Sequence, residues 1–170
     1  MSHAMARRRP ALHSRLEQES NGSPVGLLPY LRSGLGRTAL TVPLIYSLLL
    51  PLALLDLWAT LYQWTCFPVY GIGRVRRRDY LILDRHRLPY LNALEKLNCG
   101  FCAYATGVLG YVREIAGRTE AYWCPITHAR PVRDTHAHYR DFFDYGDAAG
   151  YRHGLMPLRR GLGRQRPGSR

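Results

Sequence analysis

The sequence predicts a mainly α-helical protein: one transmembrane helix followed by a small helical, metal-stapled domain on the cytoplasmic side. Three observations predict it. A long apolar run with a single charged member fills residues 39–67, arginines crowd the C-terminal side of that run, and three of the four cysteines lie beyond it at ligand-like spacing.

A chain of 170 residues is room for one ordinary domain. Residues 1–38 carry Arg7, Arg8 and Arg9 and then Ser20–Pro24 with little apolar content, and are expected to form a mobile basic segment. Residues 153–170 repeat Arg, Gly and Pro, and are expected to be a disordered basic tail. Between the apolar run and this tail, residues 68–152 make a cysteine-containing domain small enough to benefit from an internal staple. The net charge of +12 invites a nucleic-acid reading. The arginines fall mainly at the two ends and just after the apolar run, however, and no recognised nucleic-acid motif occurs. An anionic leaflet attracts such flanks at about 1 kcal/mol per Arg or Lys. The bilayer, not nucleic acid, is the expected partner.

From Ala39 to Phe67 the sequence reads ALTVPLIYSLLLPLALLDLWATLYQWTCF. About 20 apolar residues, each rising about 1.5 Å, cross the hydrocarbon core, so this run is long enough to span with tilt. A chain this small has little protein with which to surround so apolar a helix. Trp58, Tyr62, Trp64 and Phe67 gather toward its end, where amphipathic rings favour the headgroups. Pro51 lies inside the run and predicts a kink, or else a re-entrant hairpin with two short arms. Arg32 and Arg37 precede the run, whereas Arg74, Arg76, Arg77 and Arg78 follow it closely, so the positive-inside rule places the C-terminal part in the cytoplasm. The apolar run begins too far from the N-terminus for a cleaved signal peptide, and is expected to stay as a single pass of the inner membrane. Asp56 is its anomaly. A charge at mid-depth costs about 2.5–3.5 kcal/mol, which suggests an intramembrane contact with a partner helix, unless the carboxyl is near the interface or stays protonated.

Beyond the span, Asp79–Leu83 reads as a short strand or an interfacial segment. Leu91, Leu94 and Leu97 predict a helix near Tyr90–Leu97, with Pro89 in its first turn. Phe101, Ala105, Val108, Val112 and Ile115 predict a second helix over about 101–122. Ala103, Gly107 and Gly110 form a small-residue strip beside that stripe, suited to close approach of another helix. Glu114 and Arg118 are spaced as an i,i+4 pair on what reads as a solvated face. After Pro125 a His- and Tyr-rich loop leads to an aromatic piece, Phe142-Phe143, expected to dock on the helices.

Cysteine spacing carries the one chemical motif. Cys99 and Cys102 form a C-x2-C pair, and Cys124 with His128 supplies a thiol and an imidazole at C-x3-H spacing. Zinc takes four such ligands in a closed tetrahedron from two short-spaced pairs, and a reducing cytoplasm keeps the thiols available. These four are therefore the expected metal ligands, with zinc favoured over iron. His136, His138 and Glu95 are alternatives to His128. A dithiol redox pair at Cys99 and Cys102, or idle cysteines, are the competing readings, and Cys66 reads as a small apolar residue. No phosphate-binding Gly-rich loop, nucleophile elbow or paired Glu-x-x-His motif is present.

The stretches TLYQWTCFPVYGI, DYLILDRHRLPYLNALEKLNCGFCAYATGV, YVREIAGRTEAYWCPITHAR and DYGDAAGYR resemble a family of small proteobacterial single-span membrane proteins marked by an EKLNCGFC…YWCPITHA motif. The resemblance covers more than half the chain, leaves out both ends, and carries no activity or ligand set with it. The function expected from the residues is that of an accessory or assembly subunit of a larger membrane complex. The alternative is a membrane-bound thiol-redox or metal-dependent enzyme using Cys99 and Cys102.

Overall fold

A computed structural model describes residues 41–164, and its elements are helical. No β-strand forms among the described residues, and the one sheet-like contact is an isolated parallel bridge between Ile126 and Phe143. Three helices are long: α1 (Leu49–Tyr70), α2 (Ala93–Trp123) and α3 (Ala148–Arg164), with short 3-10 turns at Arg77–Asp79, Arg85–Arg87 and Ala137–Asp141. The described residues fall into two compact units. One joins residues 41–46 to Leu83–Cys102; the other holds Ser47–Ile82 and everything from Ala103 onward. Residues 1–38 and 165–170, expected to be mobile, lie outside the described residues, as do Ala39 and Leu40.

In the first unit the start of α2 is set by a capping box that composition alone does not advertise. The Asn92 side chain accepts the Glu95 N–H at 2.9 Å, and the Glu95 carboxylate accepts the Asn92 N–H at 2.9 Å. Tyr46 lies on this end of α2, its hydroxyl donating to Asn98 Oδ1 at 2.5 Å and its ring tilted on Phe101 at 5.4 Å. The sequence predicts two helices here, Tyr90–Leu97 and 101–122. The structure has one, Ala93–Trp123, running through Gly100. A helical glycine costs about 1 kcal/mol relative to Ala, which weakens a helix without breaking it.

The second unit is organised by α1. Helical backbone continues on both sides of Pro51, so no hairpin turns there; the irregularity expected of a proline that cannot donate to residue 47 is confined to a turn at Leu48. The helix ends at Gly71, whose φ of 66° is the left-handed conformation that glycine adopts without penalty, and Ile72 N–H returns to the Phe67 carbonyl at 2.9 Å. The chain then doubles back along the helix it has just left. Val75 meets Gln63, Arg77 meets Asp56, and Tyr80 and Leu81 lie on α2 at Gly107. The α2 segment 103–123 runs parallel to α1, as successive contacts show: Asp56 with Tyr104, Thr60 with Tyr111, Tyr62 with Thr119 and Tyr70 with Trp123. Between the two helices and the return segment lies the core of Ala59, Phe67, Ile72, Val75, Tyr111 and Ile115.

The return segment changes the meaning of the small-residue strip. A Cβ at Gly107 would sit 2.8 Å from the Tyr80 carbonyl oxygen and 3.2 Å from Leu81 Cα, so the strip receives the backbone that leaves the Arg77–Asp79 turn and not a long helix. Asp79–Leu83 accordingly forms no strand; Asp79 ends the 3-10 turn and the residues after it are irregular.

A second, smaller cluster joins Ala121, Phe142 and Leu162. Leu162 belongs to α3, which occupies much of the stretch expected to be a disordered tail. Asp147 caps it by accepting the Gly150 N–H at 2.9 Å, and Tyr151, Leu155, Leu158 and Leu162 recur at helical spacing toward the protein. Arg159 donates to the Tyr122 carbonyl at 2.8 Å and stacks on the Tyr122 ring at 4.7 Å. Packing of one apolar stripe outweighs the Gly- and Arg-rich composition that suggested disorder.

The close approach at Gly107 yields an opposed pair of expectations. Gly107→Ala lowers stability by about 1–3 kcal/mol, because backbone must shift to admit the methyl group. Gly100→Ala, with nothing within 4 Å of the added carbon, raises it by about 0.5–1 kcal/mol. Thermal unfolding of both variants in the same detergent reads the two signs; equal shifts would contradict the packing described.

Candidate functional site

Of the residues singled out by the sequence, Asp56 has the most developed surroundings. It lies on the face of α1 that carries Thr60 and Gln63 one and two turns later; the helix's other hydroxyl of this kind, Thr65, is exposed and donates to backbone carbonyls of the preceding turn. Asp56, Thr60 and Gln63 all turn toward protein. Arg77 grips the Asp56 carboxylate with two nitrogens, Nε at 3.0 Å from Oδ1 and Nη2 at 2.6 Å from Oδ2, while the Tyr104 hydroxyl donates to Oδ2 at 3.1 Å. Such a forked, charge-assisted pair is among the stronger hydrogen-bonding arrangements. Asp56 therefore has partners within its own chain, and a second protein is not required to satisfy it.

Gln63 does for the return segment what a neighbouring strand would. Its Oε1 accepts the Val75 N–H at 3.0 Å and its Nε2 donates to the Val75 carbonyl at 3.3 Å, the same amide also donating to the Tyr111 hydroxyl. The outer face of α1 is the reverse. Leu50, Leu54, Leu57, Trp58, Leu61, Trp64 and Val69 are all exposed, Trp58 and Val69 by about three quarters. Thr41–Tyr70 is long and apolar enough to cross a membrane, and only 11% of its most apolar window is buried, unlike the core helix of a soluble domain.

The four expected metal ligands are placed differently. Cys99 and Cys102 sit in the early turns of α2, and Cys124 directly follows its last residue. The intervening residues 103–123 are helical throughout. Among the described residues no group of three or more His, Cys, Asp or Glu side chains forms that could hold a metal. None of the four cysteines is in a disulfide. His128 is exposed and engaged by Tyr139, whose hydroxyl accepts its backbone N–H at 2.7 Å and lies 3.1 Å from its Nδ1. The alternatives are engaged as well: Glu95 in the helix cap, His136 with Glu120 and His138 with Glu114.

Those last two pairs are the part of the site that sequence reasoning missed. Gly117 faces both imidazoles, a Cβ there falling 2.9 Å from the His136 ring and 3.3 Å from His138, so its lack of a side chain admits both rings against α2. His138 is buried, its Nε2 3.0 Å from Glu114 Oε1; the same oxygen accepts from Arg118 Nε at 2.9 Å, and Arg118 Nη1 reaches the Gly73 carbonyl at 2.5 Å. The Glu114–Arg118 pair thus belongs to the interior and not to a solvated face. His136 Nε2 lies 2.7 Å from Glu120 Oε2. Burial alone pushes the Glu114 carboxyl up, but its hydrogen bonds to His138 and Arg118 outweigh that and hold it down at about 2. The signal available in the sequence was the i,i+4 spacing; nothing local announces that His138 comes to the same carboxylate.

Comparison with family models, with curated proteins and with solved structures returns no match to this chain.

The Glu114 environment sets a pH dependence. Its carboxyl titrates near 4.5 when unfolded and at about 2 when folded, so its contribution is complete above the unfolded value and disappears as pH falls from there through about 2. Discounted for solvent screening of this half-buried group, that shift corresponds to a contribution on the order of 1–2 kcal/mol. Glu114→Gln removes it and leaves Arg118 and His138 without their carboxylate, lowering stability at neutral pH by about 1–2 kcal/mol or more. The gap between wild type and variant narrows below pH 4 in denaturant titrations; a gap of constant size would refute the assignment.

Proposed function

We propose that this chain is a membrane-anchored accessory or assembly module, held in the inner membrane by α1 as a single-pass anchor with its C-terminal helical part on the cytoplasmic side. The observation that carries the reading is the inverted distribution of side chains on α1. Asp56, Thr60 and Gln63 turn toward the protein while leucines and tryptophans turn outward. Water would favour the opposite arrangement; a bilayer, hydrocarbon core and interface together, favours this one, because polar groups there are best satisfied within the protein while leucine and tryptophan face lipid. The concentration of arginines at 74–78, against Arg32 and Arg37 before the helix, supports the orientation.

The accessory role is supported by what the polar groups do. Asp56, Gln63, Glu114, Arg118 and His138 are spent on holding α1, the return segment and α2 to each other, an architectural use. These contacts hold the second unit together by themselves, and a structural metal on Cys99, Cys102, Cys124 and His128, zinc before iron, remains a separate part of the proposal. The partner surface is then an apolar one, the outward face of α1 within the bilayer, open to a helix of another membrane protein.

Two measurements on the full-length protein in its native membranes test this. The protein is expected to stay in the membrane through alkaline carbonate extraction. A photo-crosslinking residue at Leu54 is expected to form a discrete protein adduct that is absent when the same residue replaces buried Ala59. Release by carbonate would remove the anchor, and lipid adducts alone at Leu54 would remove the partner.

A further inference from the structure

The return segment decides how deep α1 can sit. From Thr41 to Leu55 the helix has no buried side chain; burial begins at Asp56 and recurs at Ala59, Gln63 and Phe67. The same point is where the arginines arrive. Arg77 is held on Asp56, Val75 on Gln63, and the Arg74 guanidinium lies 4.2 Å over the Trp64 ring, so residues 74–77 run beside residues 56–64 of the helix. Arg74, Arg76 and Arg78 are exposed along this stretch. Exposed guanidiniums are excluded from the hydrocarbon core unless they can reach headgroups or water. The second half of α1, which the apolar composition assigns to the bilayer, is therefore flanked by charge.

Resting on the membrane reading of α1, we propose that the hydrocarbon core ends at Asp56, and that Arg74, Arg76 and Arg78 with Trp58 and Trp64 form a collar that binds the anionic headgroups of the leaflet there. Residues 41–55 cover about 22 Å at helical rise, most of a core about 30 Å thick. Trp58 and Trp64 then occupy the interfacial belt that indole rings favour, and Arg74 is presented to phosphate by its stacking on Trp64. The Asp56–Arg77 pair becomes an interfacial clamp in place of a carboxylate at mid-depth. The occupant is a phospholipid surface of negative charge. The apolar face beside the guanidiniums supplies the insertion that a soluble phosphate would not need.

Depth and headgroup preference are measured on the full-length protein in nanodiscs. In a Trp64→Phe/Trp123→Phe variant the remaining Trp58 is expected to be quenched by shallow-brominated lipid and by aqueous acrylamide. A tryptophan introduced by Leu50→Trp, with the three native ones replaced by Phe, is expected to be quenched by deep-brominated lipid alone. Trp58 quenched as deeply as position 50 would overturn the boundary while leaving the anchor intact. Lipid quenching at neither position would instead overturn the membrane reading itself. Spin-labelled phosphatidylglycerol is expected to associate with the wild type about fivefold or more above phosphatidylcholine, as one arginine contact alone provides. The preference is expected to fall toward unity in Arg74→Gln/Arg76→Gln/Arg78→Gln. Equal association of the two lipids with the wild type would overturn the collar.

Discussion

A carboxylate on an apolar helix must find a cation or water, and in this protein it finds Arg77. That requirement shapes everything around α1. To bring a guanidinium back to Asp56 the chain has to reverse at Gly71 and run back along the helix into a 3-10 turn, which places Val75 within reach of the Gln63 amide and Tyr80 on the second helix. The return segment then occupies the groove that two parallel helices would otherwise close. Gly107 is the consequence: a side chain there would meet the Tyr80 carbonyl. One ion pair thus links helix polarity, loop path and glycine placement.

Several polar side chains of the interior hold one element to another. Gln63 substitutes for a β-ladder neighbour by pairing both its amide atoms with one backbone residue. Arg118 bridges Glu114 and the Gly73 carbonyl, joining α2 to the turn after α1, while His138 fastens the loop after α2 to the same carboxylate. Buried charge is costly unless geometry and hydrogen bonding are good. Here one carboxylate oxygen serves two donors, and the depressed Glu114 pKa is the thermodynamic trace of that arrangement. The outward surface of α1 carries no charge among the described residues and little other polarity, Thr65 turning its hydroxyl back to the helix backbone, and the contrast between its two faces supports the proposed membrane role.

Much of this was legible in the residues. The apolar helix, its length and its aromatic end follow from composition, because a run that is hydrophobic on all sides has few places to go. The amphipathic stripe of α2 was legible from spacing, with Val108 and Ile115 buried as expected. Its continuity through Gly100 was not, since glycine is as common at helix ends as it is tolerated within them, and the Asn92–Glu95 capping box that sets the true start competes with the louder Pro89. The helix at 148–164 was hidden by composition, because arginine and glycine suggest disorder until an apolar stripe has something to lie on.

The sequence by itself determined the helical character of α1 and of most of α2, that Asp56 is out of place on an apolar helix, and that positive charge follows the apolar run, because these depend on local periodicity and on residue type. Only the tertiary structure decided which cation answers Asp56, that Gly107 receives backbone in place of a helix, and that buried His138 comes to the half-buried Glu114. Cysteine spacing suggested a metal site because close positions in a chain can converge; among the described residues no group of three or more such ligands forms. Spacing along a chain limits which groups can meet, and the path of the backbone between them settles whether they do.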